Sequence, residues 1–168
     1  NRKATFKDSG DKLFKDNDER CIFFAKGVLE TIKRLNWSPD IIHIHGWMSA
    51  LLPIYLKENF KNEPIFQKSK IVTSLYANEF EKSLNNDMIN KVLFDEIDKK
   101  SISDLKDPTY ENLTRIAINY SDGIILGSEN ISPKTIKFLK DYKNPVLNFQ
   151  PKDSFSESYL EFYNNLFD

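Results

Sequence analysis

The sequence predicts an α/β fold, a parallel sheet with helices on both faces. Short, β-branched apolar runs alternate along the chain with segments whose apolar residues recur at helical spacing. No internal repeat and no low-complexity linker interrupts that alternation. The 168 residues are enough for a real core, and one domain over residues 1–168 is expected.

The elements follow in order. Residues 1–15 are polar, with Ser9-Gly10 as a turn signal and Ala4-Thr5-Phe6 as a candidate strand. The acidic stretch Asp16-Asn17-Asp18-Glu19 stands where a helix begins, suited to capping free N–H groups and to the helix dipole. Cys21, Phe24, Ala25, Val28, Ile32 and Leu35 then give a helical stripe, expected to end near Asn36. Ser38-Pro39-Asp40 is a turn, and Ile41-Ile42-His43-Ile44-His45 is a buried strand leaving through Gly46. A helix is expected over 48–59, with Pro53 in its first turns and Ala50, Leu51, Ile54 and Tyr55 as its buried stripe. Residues 70–76 form a second buried strand, followed by a loop over 77–86. Asn85-Asn86-Asp87 caps a helix over 88–94, and 95–107 is a charged connection. Pro108-Thr109-Tyr110 opens another helix, Ser121-Asp122-Gly123 is a turn, and 123–127 is a third strand. Ser132-Pro133 starts a helix reaching about Tyr142. Pro145-Val146-Leu147 is an edge strand, and a last helix carries Phe155, Tyr159, Phe162, Tyr163 and Leu166 as a C-terminal clasp.

Composition narrows the function. Lysine and arginine number 24 against 25 acidic residues, a balance that argues against a nucleic-acid footprint and against a polybasic membrane surface. No apolar run reaches the roughly 20 residues of a membrane span. The one cysteine, Cys21, excludes an internal disulfide and a Cys-rich zinc site, and fits a reducing, cytoplasmic setting. The chain opens at Asn1 rather than Met, so a preceding N-terminal segment is expected to be missing.

In open parallel sheets, ligands bind beyond the carboxyl ends of the strands. His43 and His45 stand at that end, and they are the only histidines. We read them as facing opposite sides of the strand, which leaves them unable to share a metal ion; no metal and no cofactor is expected. No phosphate-binding glycine loop and no Gly-x-Ser-x-Gly elbow is present. What remains is a polar rim of His45, Asp16, Asn17, Arg20, Ser128 and Glu129, with Trp47 and Tyr76 as apolar platforms. Such a rim suits a neutral polyhydroxyl ligand. For Asp16, Asn17 and Arg20, plain helix-start chemistry is the favoured explanation, the alternative being that this helix start faces the same cleft as His45.

Three stretches resemble a known family. They are Asp16-Asn17-x-x-Arg20, then Trp37-x-Pro39-Asp40-Ile41-Ile42-His43-x-His45-x-Trp47-x-x-Ala50-Leu51, then Ser121-Asp122-Gly123 with Ser128-Glu129. In order and spacing they are similar to the N-terminal catalytic domain of bacterial glycogen synthases and plant starch synthases, across roughly residues 14 to 130. The nearest likeness is to short, single-domain homologues of the Bacteroidetes type. The resemblance implies a three-layer Rossmann-like domain, the N-terminal half of a GT-B glycosyltransferase. It implies transfer of glucose from ADP-glucose to an α-1,4-glucan such as glycogen, with retention and without a metal. His45 would approach the transferred glucose as the catalytic residue. Asp16, Asn17, Gly46, Trp47, Tyr76, Ser128 and Glu129 would bind substrate, with Arg20 and His43 in support.

The chain also departs from that family. A Lys-x-Gly-Gly-Leu loop is absent, Gly46 replaces an aspartate, and Thr73-Ser74-Leu75-Tyr76 replaces a Thr-x-His-Asn motif. The nucleotide-binding second Rossmann domain has no counterpart in these residues. Three readings therefore stay open: a glycosyltransferase half acting with a second subunit, a homo-oligomer or a larger protein; a non-catalytic glucan-binding or regulatory relic; and a domain kept for association.

Overall fold

A computed structural model describes residues 4–95 and 97–168. Its centre is a four-stranded parallel sheet in the order β1 (Ile41–His45), β2 (Lys70–Leu75), β3 (Gly123–Leu126) and β4 (Val146–Leu147). The register pairs His43 with Val72 and His45 with Ser74, and then Ser74 with Ile125. The helices are α1 (Asn17–Arg34), α2 (Leu52–Glu58), α3 (Met88–Leu93), α4 (Tyr110–Asn119), α5 (Pro133–Leu139) and α6 (Phe155–Asn164). This is the expected α/β, Rossmann-like architecture.

The layers are unequal. Ile42, Ile44 and Ile71 point to one face, where they join the buried residues of α1, α2, α3 and α4 in the main core. Leu75 and Ile124 extend that face towards α5. On the other face, Val72 and Ile125 pack against Phe162 and Leu166 of the α6 segment, with Ile41, Tyr159 and Tyr163 around them. Among the described helices, α6 alone covers this second face. It comes close at β3, where a β-carbon on Gly123 would stand 2.9 Å from the Phe162 ring.

Local chemistry explains the helix starts. Thr109 accepts a hydrogen bond from the Asn112 amide, and Ser132 accepts one from the Thr135 amide, as N-caps should. The acidic start of α1 behaves differently. Asp16 makes no side-chain cap, and its carbonyl accepts from the Arg20 amide instead. Asp18 turns fully inward to the Lys91 ammonium at 2.7 Å, so that carboxylate is drawn into a tertiary ion pair.

Several expectations need correction. The N-terminal stretch forms no strand at 4–6; a single bridge joins Lys7 to Leu13 around a turn, where the Asp8 carboxylate accepts the Gly10 and Lys12 amides. The buried stripe of α1 runs through Cys21, Ala25, Leu29 and Ile32, whereas Phe24 and Leu35 face outward. After Gly46 the chain makes a 3-10 turn over Trp47–Ser49, and α2 begins only at Leu52. Pro53, lacking an N–H, fits the first turn and would break a longer helix. α2 is buried from Leu52 to Leu56 rather than along one stripe. α5 stops at Leu139, while Tyr142 anchors the following turn by donating to the Ser121 carbonyl at 2.9 Å.

The α1 correction is testable by urea unfolding. Leu29→Ala, at a fully buried site, is expected to cost about 2–5 kcal/mol. Phe24→Ala, at a site 46% exposed, is expected to stay within about 1 kcal/mol of the parent.

Candidate functional site

The site is built at the carboxyl ends of β1, β2 and β3. β1 ends on His45, and Gly46 turns the chain with φ of 70°, a conformation that favours glycine. The Gly46 amide still donates to the Ser74 carbonyl, which carries the ladder one residue further. The Ser49 hydroxyl lies 3.0 Å from both the His45 and Gly46 carbonyl oxygens and pins the exit.

His43 and His45 share one face of β1, which corrects the opposite-face expectation. Side chains alternate along a strand, so residues two apart point the same way. The ring centroids are 4.1 Å apart. His43 is tied at both nitrogens: Nε2 lies 2.7 Å from the Ser74 hydroxyl and Nδ1 lies 2.7 Å from the Tyr163 hydroxyl. His45 is more exposed. Its Nδ1 lies 2.7 Å from the Tyr76 hydroxyl, and its Nε2 makes no hydrogen bond among the described residues.

Electrostatics follow from this packing. Burial, and then the neighbouring His45, push the His43 imidazole down to about 4. Burial also lowers His45. Burial raises the phenols of Tyr159 and Tyr163. At neutral pH the cluster is a set of uncharged imidazoles and hydroxyls. Among the described residues no group of three or more His, Cys, Asp or Glu is placed to hold a metal ion. Both His43 nitrogens are already committed to hydroxyls.

The other expected residues divide. Tyr76 stands beside His45 as a hydrogen-bond partner, and its own carbonyl accepts from the Tyr110 hydroxyl at 2.8 Å. Ser128 reaches the same rim and accepts from the Ala77 amide at 3.2 Å, with Glu129 exposed beside it. Trp47 is not a platform: it is 5% exposed, between Phe6 and Phe80 with ring centroids 5.0 and 4.9 Å away. Asn17 is fully buried and donates to the Phe6 carbonyl at 2.8 Å. Arg20 donates to the Asn17 side chain and to the Thr5 carbonyl. These two hold the N-terminal strap whose Phe6 braces Trp47. Asp16 lies half-buried beside them at the start of α1.

Two features escape the sequence reading. One is the pair of α6 tyrosines, whose only sequence signal is Tyr in place of Phe on a buried stripe. The other is a groove of roughly 630 Å³ between the strap and the loop after β2. Its walls carry Lys7, Lys12, Lys15 and Lys82 together with Asp11, Glu79 and Glu81, over Leu13, Phe14 and Phe80. Phe80 touches both this groove and Trp47.

Comparison with known proteins shows the family of the chain. The family model described as the starch synthase catalytic domain matches residues 1–137. The chain belongs to that family. A glycogen synthase of Clostridium perfringens is 30% identical over 130 residues, covering 77% of this chain and 26% of that protein. A glycogen synthase of Chlorobium limicola is 47% identical over 62 residues, covering 37% of this chain and 13% of that protein. One of Elusimicrobium minutum is 44% identical over 61 residues, 36% of this chain and 13% of its own length. The chain thus spans only a minor part of each of these relatives. No described helix is long and apolar enough to cross a membrane.

The starch synthase-type chain should show its buried imidazole in its acid stability. The folded His43 value, about 4, lies below its ordinary 6.5, so the unfolded chain takes up the proton first. Stability is then full above about pH 6.5 and falls as the pH drops towards 4. His45, also lowered, acts in the same direction, and the facing phenols of Tyr159 and Tyr163, raised by burial, stay neutral throughout. Urea midpoints measured across that window should decline steadily, and the decline should be shallower in His43→Gln. A flat profile would contradict the assignment.

Proposed function

We propose that the chain is the acceptor-side half of a glycogen synthase-type glycosyltransferase, transferring glucose from ADP-glucose to the end of an α-1,4-glucan in a cytoplasmic setting. The observation that carries this reading is His45. It is an exposed imidazole at the carboxyl end of a parallel strand, held through Nδ1 by Tyr76, with no partner at Nε2 among the described residues. Held as a donor, that nitrogen suits a sugar hydroxyl. Gly46 follows His45 directly, and Ser128 accepts from the amide of Ala77, the residue after Tyr76. The groove lined by the strap and the loop after β2 lies within the size range of small-molecule sites and offers the glucan both polar and apolar walls.

The donor diphosphate needs charge from elsewhere. The segments leaving the three long strands, 46–48, 76–79 and 127–131, contain no lysine or arginine. Electrostatic stabilisation of a departing anion is a large part of such catalysis, with about 10²–10³ in rate lost for one missing donor. A further Rossmann domain, in the same polypeptide or in a second subunit, would therefore supply the nucleotide site. The same lack of cationic groups at these strand ends favours, as a second reading, glucan binding without turnover.

The test uses the full-length native protein with ADP-glucose and glycogen, following ADP release and glucan extension together. Turnover that falls at least about 10²-fold in His45→Ala is the expected result. Retardation by glycogen without turnover would favour the binding reading. Neither turnover nor retardation would contradict both.

A further inference from the structure

The α6 helix lies beyond the residues that match the family model, yet it closes over the face that carries both histidines. Phe162 and Leu166 seat it on Val72 and Ile125. That seat brings two phenols to the imidazoles: the Tyr159 ring centroid is 5.9 Å from that of His43, and the Tyr163 hydroxyl is 2.7 Å from His43 Nδ1. Apolar burial alone would be served by phenylalanine at either position. Buried tyrosines usually spend their hydroxyl on a specific partner.

The hydrogen bonds have one consistent sense. A phenol donates a hydrogen bond more readily than it accepts one, so Tyr163 donates to His43 Nδ1 and leaves the ring proton on Nε2, facing the Ser74 hydroxyl. The Ser74 oxygen then accepts from His43 Nε2–H at 2.7 Å. The ring so fixed lies 4.1 Å from His45, whose own Nδ1 is held by Tyr76.

We propose that Tyr163 is a positioning residue, which sets the tautomer and tilt of His43 and through that ring the orientation of His45 towards substrate. The proposal rests on His45 as the substrate-facing group. It makes α6 a working part of the site rather than a cover. Tyr163 need not touch the sugar.

The experiment compares the native protein with Tyr163→Phe, which keeps the ring, and with Leu160→Ala on the exposed side of α6. The protein is labelled with ¹⁵N-histidine, and imidazole spectra are read together with glucan extension. In the parent, His43 should give the Nε2–H tautomer alone. In Tyr163→Phe, its two nitrogens should move towards the averaged positions of mixed tautomers, and the His45 signals should shift as well. The turnover number should fall, by up to about 10²-fold, with the glycogen KM unchanged. Leu160→Ala should match the parent in every readout. Unchanged His43 spectra in Tyr163→Phe would overturn the proposal, and so would a His43 change that leaves His45 where it was. If both imidazoles move and no protein turns over glucose, the positioning role stands and the catalytic reading of His45 fails.

Discussion

Two imidazoles whose centres lie 4.1 Å apart cannot both carry a charge at little cost. That constraint shapes the surroundings of β1. Each partner within hydrogen-bond reach of a ring nitrogen is a hydroxyl, from Ser74, Tyr76 or Tyr163, and none is a carboxylate. A carboxylate there would draw a proton onto one ring and set it against the other. Hydroxyls instead satisfy neutral imidazoles and fix which nitrogen holds the proton. The parallel register is the underlying cause, since pairing His45 with Ser74 puts Tyr76, two residues further on, beside the His45 ring.

The other face of the sheet supports the same opening from behind. Trp47 leaves β1 into an aromatic column with Phe6 and Phe80, and Phe80 meets Tyr110 edge-on at 5.7 Å. Tyr110 then returns to the site by donating to the Tyr76 carbonyl. Asn17 and Arg20 hold the strap that carries Phe6. The loops that present His45 and Tyr76 are thus joined through buried rings to α1 and α4. A site on loops gains accuracy from such packing beneath it.

What was legible in the sequence was local. Strands β1 to β3 are marked by β-branched runs between turn residues, and Thr109, Ser132 and Pro133 mark helix starts by chemistry confined to one turn. What was missed depended on partners far along the chain. Leu29 replaces Phe24 in the buried stripe of α1 because the sheet and α2 choose the face, and that choice is not written in α1. Asp18 leaves its cap role for Lys91, 73 residues away in sequence. Trp47 looks like a rim residue until Phe6 and Phe80 close on it. The shared face of His43 and His45 was readable from strand periodicity alone, and the opposite-face reading was an error of geometry. Tyr159 and Tyr163 carried a faint signal as polar-tipped rings on an apolar stripe, but nothing in sequence ties them to β1.

The most direct measurement is a titration of the ¹⁵N-histidine-labelled protein with a short linear α-1,4-glucan, maltoheptaose, reading the two imidazoles separately. The account predicts a saturable shift of the His45 signals, with a smaller change at His43, whose nitrogens are both engaged by the protein. Binding that leaves His45 unmoved would place the glucan elsewhere and contradict His45 as the substrate-facing group.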